Sequence, residues 1–119
     1  MPWDKYLAAQ YARNHAEDHS TGLCAHYVSE AIRYGGVNIP NTPFAKDMGS
    51  TLLLAGFQYA VGNIDIGDIS VIQPVTGHPY GHVCIFDGTD WISDFIQQTM
   101  YPGQAYRDAK PPYAIFRHA

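Results

Sequence analysis

Ile66-Gly67-Asp68-Ile69-Ser70-Val71-Ile72-Gln73 and, beyond the loop Pro74 to Tyr80, Gly81-His82-Val83-Cys84-Ile85-Phe86 decide how this chain folds. Each is a short apolar run behind turn residues, the signature of a strand rather than of a helix. The same texture recurs at Phe57 to Val61, Trp91 to Ile96 and Tyr113 to Arg117, so the second half is expected to form an antiparallel sheet. Ahead of Gly56 the period is helical. Trp3, Tyr6, Leu7 and Tyr11 share one face of a predicted helix over 3–15. A second helix, capped by Ser20 or Thr21, is expected to bury Leu23, Tyr27, Val28, Ala31 and Ile32 and to stop at Gly35-Gly36. Pro43 is expected to open a shorter third helix through Lys46, Met48, Leu52 and Leu53, a reading that Gly49 weakens. Helices first and strands after give an α+β layout.

At 119 residues, 46% hydrophobic and 15% charged, the chain reads as one globular domain over 1–119, expected to be a monomer. Its net charge is −4 and Lys and Arg occur singly, which leaves no electrostatic footprint for a nucleic-acid backbone. No apolar run approaches the roughly 18 residues that span a bilayer, and Met1-Pro2-Trp3-Asp4-Lys5 lacks a basic region leading into an apolar stretch. The expectation is a protein made in a bacterial cytoplasm and carried elsewhere without a cleaved leader. Two cysteines, Cys24 and Cys84, form neither a disulfide framework nor a zinc motif. His78 and His82 are separated by Pro79 and Gly81, which forbid the shared helical face that a metal-binding pair needs. No metal or cofactor is expected.

The chemistry centres on Cys24, at the front of the second predicted helix, with His82 and Asp94 on later strand-like segments. A thiol attacks as thiolate, so it needs positive potential and a base, and the base needs a group to hold its ring. Free amides at a helix N-terminus favour an anion by about 0.3–1 kcal/mol, so a neighbouring imidazolium must do most of the lowering from about 8.5. A plain core cysteine is the competing reading. Rapid alkylation near neutral pH is expected of a catalytic thiol and not of a core one.

The part played by Asp94 depends on the hairpin that joins its strand to that of His82. A three-residue loop, Asp87-Gly88-Thr89, sets Asp94 opposite His82, with cross-strand Cβ atoms about 5 Å apart. A two-residue turn sets Ser93 or Phe95 there instead and sends Asp94 to the other face. Alternation puts Cys84 on the face of His82, and a Cys24–Cys84 bridge acting as a redox latch stays open.

Three segments in order, Gly22-Leu23-Cys24-Ala25-His26-Tyr27-Val28, Gly67-Asp68-Ile69-Ser70-Val71-Ile72 and Gly81-His82-Val83-Cys84-Ile85-Phe86, resemble the CHAP-type and NlpC-type cysteine amidases and peptidases of papain-like fold that cut peptidoglycan. The resemblance runs from about residue 20 to 97. It implies Cys24 as nucleophile, His82 as base, Asp94 as the residue that orients the base, and Gly67-Asp68 as a structural turn. It also implies a peptidoglycan stem peptide or cross-link as substrate, whose carboxylates would meet Arg33, Lys46 or Arg107 in the cleft.

Two settings follow for that chemistry. One is an antibacterial effector of the type VI secretion kind, acting in the periplasm of a target cell and neutralised at home by an immunity protein. The other is a phage or prophage lytic enzyme. The small, mildly acidic chain favours the effector. A non-catalytic binding module of the same fold, and a cysteine hydrolase acting on lipid or protein amides inside cells, are the readings from other classes.

Overall fold

A computed structural model describes residues 2–119. Helix α1, Lys5–His15, starts at Asp4, whose carboxylate accepts from the amides of Tyr6 and Leu7 at 3.0 Å each. It buries Ala8, Ala9 and Ala12 rather than the larger stripe expected, leaving Tyr6 and Leu7 in solvent. Alanines let it lie close against helix α2, Cys24–Tyr34, which buries Ala25, Val28, Ser29, Ala31 and Ile32. Neither Ser20 nor Thr21 caps α2; Leu23 holds the cap position without a side-chain bond. The helix ends at Gly35, and Gly36 takes the left-handed backbone, φ 106°. A 3-10 turn, Ala45–Asp47, leads into α3, Met48–Leu54, so the third helix begins after Pro43 rather than on it.

Five strands follow: β1 Gln58–Tyr59, β2 Ile69–Ile72, β3 His82–Phe86, β4 Trp91–Ile92 and β5 Tyr113–Arg117. Their order in the sheet is β1-β5-β2-β3-β4, with every neighbouring pair antiparallel. The last strand thus slots between β1 and β2, where Arg117 bonds both oxygens of the fully buried Asp68 at 2.8 and 2.7 Å. Asp68 also accepts from the Asp65 amide, so the Gly67-Asp68 turn is tied to the C-terminal strand.

Alternation along the strands divides the interior in two. Ile69, Val71, Val83 and Ile85 face the helices with Val28, Ile32 and Phe116. Ile72 and Cys84 face the other way with Trp91 and Tyr106. That second layer is closed by α4, Gln104–Ala109, an element the sequence pattern did not announce. Packing of helices against a C-terminal antiparallel sheet is the α+β arrangement expected. No helix among the described residues is long and apolar enough to cross a membrane.

The hairpin between β3 and β4 takes the register of the two-residue alternative, with the Asp87 amide on the Asp90 carbonyl at 3.0 Å across Gly88-Thr89, and not that of the three-residue loop. Phe86 pairs with Trp91 and Ile85 with Ile92, so the loop has four residues, Asp87 to Asp90. Asp87 accepts from the amides of Thr89 and Asp90 through Oδ1, and Arg13 clasps Asp87 and Asp90 together from α1. Strand β4 stops at Ile92 rather than Ile96. The chain turns back there, with the Ser93 amide on the Phe95 carbonyl at 3.0 Å and the Gln97 amide on the Trp91 carbonyl at 2.9 Å.

Candidate active site

Cys24 is the first residue of α2, so its own amide and that of Ala25 have no acceptor within the helix. Its side chain packs at the edge of the core over β3, and the Val83 amide, one residue after His82, donates toward the sulfur together with the amides of Cys24 and Ala25. Burial nevertheless pushes the thiol up to about 11, helped by the nearby charge of Asp94 and only partly opposed by those amides. The lowered thiol expected from the helix terminus is therefore not found in the resting site, because desolvation outweighs the N-terminal dipole.

His82 opens β3 at a sharp bend. Gly81 sits at φ +70°, and a Cβ there would stand 2.4 Å from the Ile72 carbonyl oxygen and 3.2 Å from the Lys46 Cβ. Only glycine passes this point, and it delivers His82 to the first rung of the ladder, opposite Ile72. The imidazole is 7% exposed and its Nε2 lies 2.8 Å from Gln97 Oε1. The two hydrogens of the Gln97 amide are committed to the carbonyls of Thr99 and Met100, both at 3.0 Å. Oε1 can only accept, so Nε2 carries the ring proton and Nδ1 is the basic nitrogen. Burial holds the imidazole below its ordinary value, against the opposing pull of Gln97 and Asp94.

Asp94 does not hold the histidine. The four-residue loop and the early end of β4 take Asp94 off the ladder, and its Oδ2 accepts instead from the amide and hydroxyl of Thr21, the latter at 2.8 Å. The adjoining backbone is stitched as well, with the Glu17 amide on the Asp94 carbonyl at 2.7 Å. Asp94 thus braces the loop that leads into Cys24, and its charge is felt at both Cys24 and His82. The side chain bonded to the His82 ring is that of Gln97. Sequence reading missed it because an amide after Ile96 gains meaning only once the chain doubles back at Ser93; the Gln97-Gln98 pair at the end of an apolar run is the one sign it left.

Cys24, His82 and Asp94 line a common cleft of about 710 Å³, with Tyr106, His78 and Ser29 among the other walls. Arg33, Lys46 and Arg107 do not line it: Arg33 is bonded to Glu30 and the Ile39 carbonyl, Arg107 to Thr99 and Tyr101. Both cysteines are free thiols, and Cys84 is wholly buried in the second layer near the Met100 carbonyl. No group of three or more His, Cys, Asp or Glu among the described residues is assembled to hold a metal.

No protein-family model and no curated protein matches the chain. Two solved structures do. A chain of the type VI native effector-immunity complex Tae3-Tai3 from Ralstonia pickettii is 49% identical, with a TM-score of 0.96 over 98% of this chain and 100% of that one. The selenomethionine form of the same complex aligns at 51% identity and a TM-score of 0.90 over 92% and 98%. Identity at that level over nearly the whole length of both chains is family membership: this chain belongs to the Tae3 family of type VI secretion effectors.

Proposed function

We propose that this effector is a cysteine amidase that hydrolyses amide bonds of peptidoglycan stem peptides or their cross-links in the periplasm of a target cell, and that a cognate immunity protein neutralises it in the producer. The observation that carries the reading is the tautomer lock on His82. Gln97 occupies Nε2–H and leaves Nδ1 as a base on the cleft that also holds the Cys24 thiol.

His82 Nδ1 takes the Cys24 proton as sulfur attacks the scissile carbonyl, since a thiol held at about 11 supplies almost no thiolate beforehand. The oxyanion forms at the N-terminus of α2, where the Cys24 and Ala25 amides are free of helical acceptors. The imidazolium returns its proton to the leaving amine as the carbon–nitrogen bond breaks. Water, deprotonated by the same nitrogen, hydrolyses the thioester and regenerates the thiol. Throughout, Gln97 Oε1 accepts from Nε2–H, and the ionised Asp94 stabilises the transient positive charge on the ring.

The effector setting is favoured over a phage lytic enzyme because both similar structures are type VI effectors bound to an immunity protein. Purified muropeptides digested with wild type and with Cys24→Ala, followed by mass spectrometry, test the reading. New products from the wild type alone are expected. Products from the variant would remove Cys24 as nucleophile, and products from neither would remove the substrate class.

A further inference from the structure

Helix α4 brings one uncommitted hydroxyl to the cleft. Tyr106 lines it together with Cys24 and His82, its ring 6.1 Å from that of His82 and 5.2 Å from that of His78, centroid to centroid. The residue is 3% exposed and packs with Ile72, Cys84 and Trp91 in the second layer, so the core fixes its position. Tyr27 and Tyr101 commit their hydroxyls to Glu17 and to the Pro111 carbonyl, each at 2.7 Å. The Tyr106 hydroxyl has no hydrogen-bond partner among the described residues, yet it is not one of the sealed, unpaired atoms, which belong to Ser29, Ser93 and Asp94. A buried tyrosine ordinarily finds a partner for its O–H, and here the open side is the cleft. Burial, and after it the charge of Cys24, pushes the phenol up to about 12, so the oxygen keeps its proton at neutral pH and lies within electrostatic reach of the sulfur. No hydrogen bond joins the two, which leaves a gap between sulfur and phenol.

We propose that Tyr106 is a catalytic residue whose O–H donates to the oxygen of the attacked carbonyl, adding a side-chain donor from α4 to the amides at the N-terminus of α2. The inference rests on the amidase reading above and goes beyond it by assigning that donor. As the sulfur–carbon bond forms, the carbonyl π pair passes to oxygen, and the new charge arises in the gap between sulfur and phenol. Tyr106 shares its hydrogen with that oxygen without giving it up. When the carbon–nitrogen bond breaks, the pair returns to the carbonyl and the hydroxyl is unchanged; hydrolysis of the thioester repeats the cycle. Core packing holds the donor in place beforehand, so little reorganisation accompanies the developing charge. The proton itself travels by way of His82, and a phenol that keeps its hydrogen to about 12 is suited to donate a hydrogen bond rather than to act as base.

Tyr106→Phe keeps the ring and removes only the hydroxyl. In muropeptide turnover it is expected to lower kcat by about a hundredfold and to leave KM nearly unchanged. Iodoacetamide is attacked at a saturated carbon and forms no oxyanion. On Cys84→Ala protein, the rate and pH profile of Cys24 alkylation are therefore expected to be the same with and without Tyr106→Phe. Unchanged kcat overturns the proposal while leaving the amidase reading intact. Alkylation that slows along with kcat assigns the hydroxyl to the thiol or to the fold and overturns it too, as does a loss confined to KM, which would mean uniform substrate binding. Should Tyr106→Phe not fold, 3,5-difluorotyrosine in place of Tyr106 keeps the donor but ionises at lower pH than tyrosine. Its kcat is expected to fall as that phenol ionises, followed by absorbance, over a range in which the wild type holds its rate; a kcat indifferent to the ionisation rejects the proposal. No cleavage by wild type would instead sink the amidase reading.

Discussion

Cys24 and His82 are a neutral pair at rest, because the same burial raises the thiol and lowers the imidazole. The proton therefore moves during attack, and the expectation of rapid alkylation at neutral pH gives way to a different profile. Iodoacetamide labelling of Cys24, monitored on Cys84→Ala protein, is expected to be slow at pH 7 and to rise about tenfold per pH unit toward the thiol's value near 11. A rate already flat below pH 7 would mean a preformed thiolate. Gln97 offers the second residue-scale test. Gln97→Leu keeps the volume but removes the acceptor on Nε2 and the donors to Thr99 and Met100. It is expected to lower kcat by about ten- to a hundredfold through loss of the correct tautomer. Stability should fall by about 1–3 kcal/mol from the unpaired buried groups, as read by denaturant titration; unchanged kcat would remove Gln97 from the machinery.

The elements that carry the site were legible to different degrees, for physical reasons. Strands β2, β3 and β5 could be read almost to the residue because they are central, so each is an uninterrupted apolar run between turn residues. The placement of Cys24 at a helix front and of His82 at a strand start followed from the same local signals. The β3–β4 hairpin was legible only as a pair of alternatives, since the choice of the two-residue register depends on an Asp87 side chain that closes the loop and on Arg13 reaching across from α1. The reversal of the chain at Ser93, absent from any local pattern, took Asp94 off the ladder and set Gln97 beside the His82 ring. Helix α4 was missed because six residues give too little period to read. The start of β3 yields the prediction at this scale. Gly81→Ala adds a Cβ into the Ile72 carbonyl and demands a left-handed backbone from alanine. It is expected to destabilise the fold by about 1–3 kcal/mol and to lower activity further by shifting His82. A thermal melt together with peptide turnover reads both, and an unaltered melting temperature would show that β3 can start elsewhere.

At the scale of the molecule, the cleft places titrating groups of opposite tendency inside one small protein. Burial holds His82 below its ordinary value, and Thr21 holds Asp94 below the carboxylate range despite burial. As pH falls, the unfolded chain takes up these protons before the folded one does, so stability is lost, beginning near the unperturbed histidine value of about 6.5. Cys24 and Cys84 are both raised by burial. As pH rises past the unperturbed thiol value of about 8.5 the unfolded chain ionises first, and stability is lost on that side as well. Urea midpoints are therefore expected to be highest between roughly pH 6.5 and 8.5 and to decline on both flanks. Cys24→Ala should soften the start of the alkaline decline without moving the acid one, since the thiols ionise before the raised phenols of Tyr27, Tyr101 and Tyr106. Asp94→Asn should soften the lowest part of the acid limb and deepen the histidine part, because it removes a charge that pulls the imidazole up. An acid limb that starts only below about pH 4 would mean that His82 is not desolvated as the fold implies, and with it the neutral resting pair on which the catalytic sequence depends would have to be abandoned.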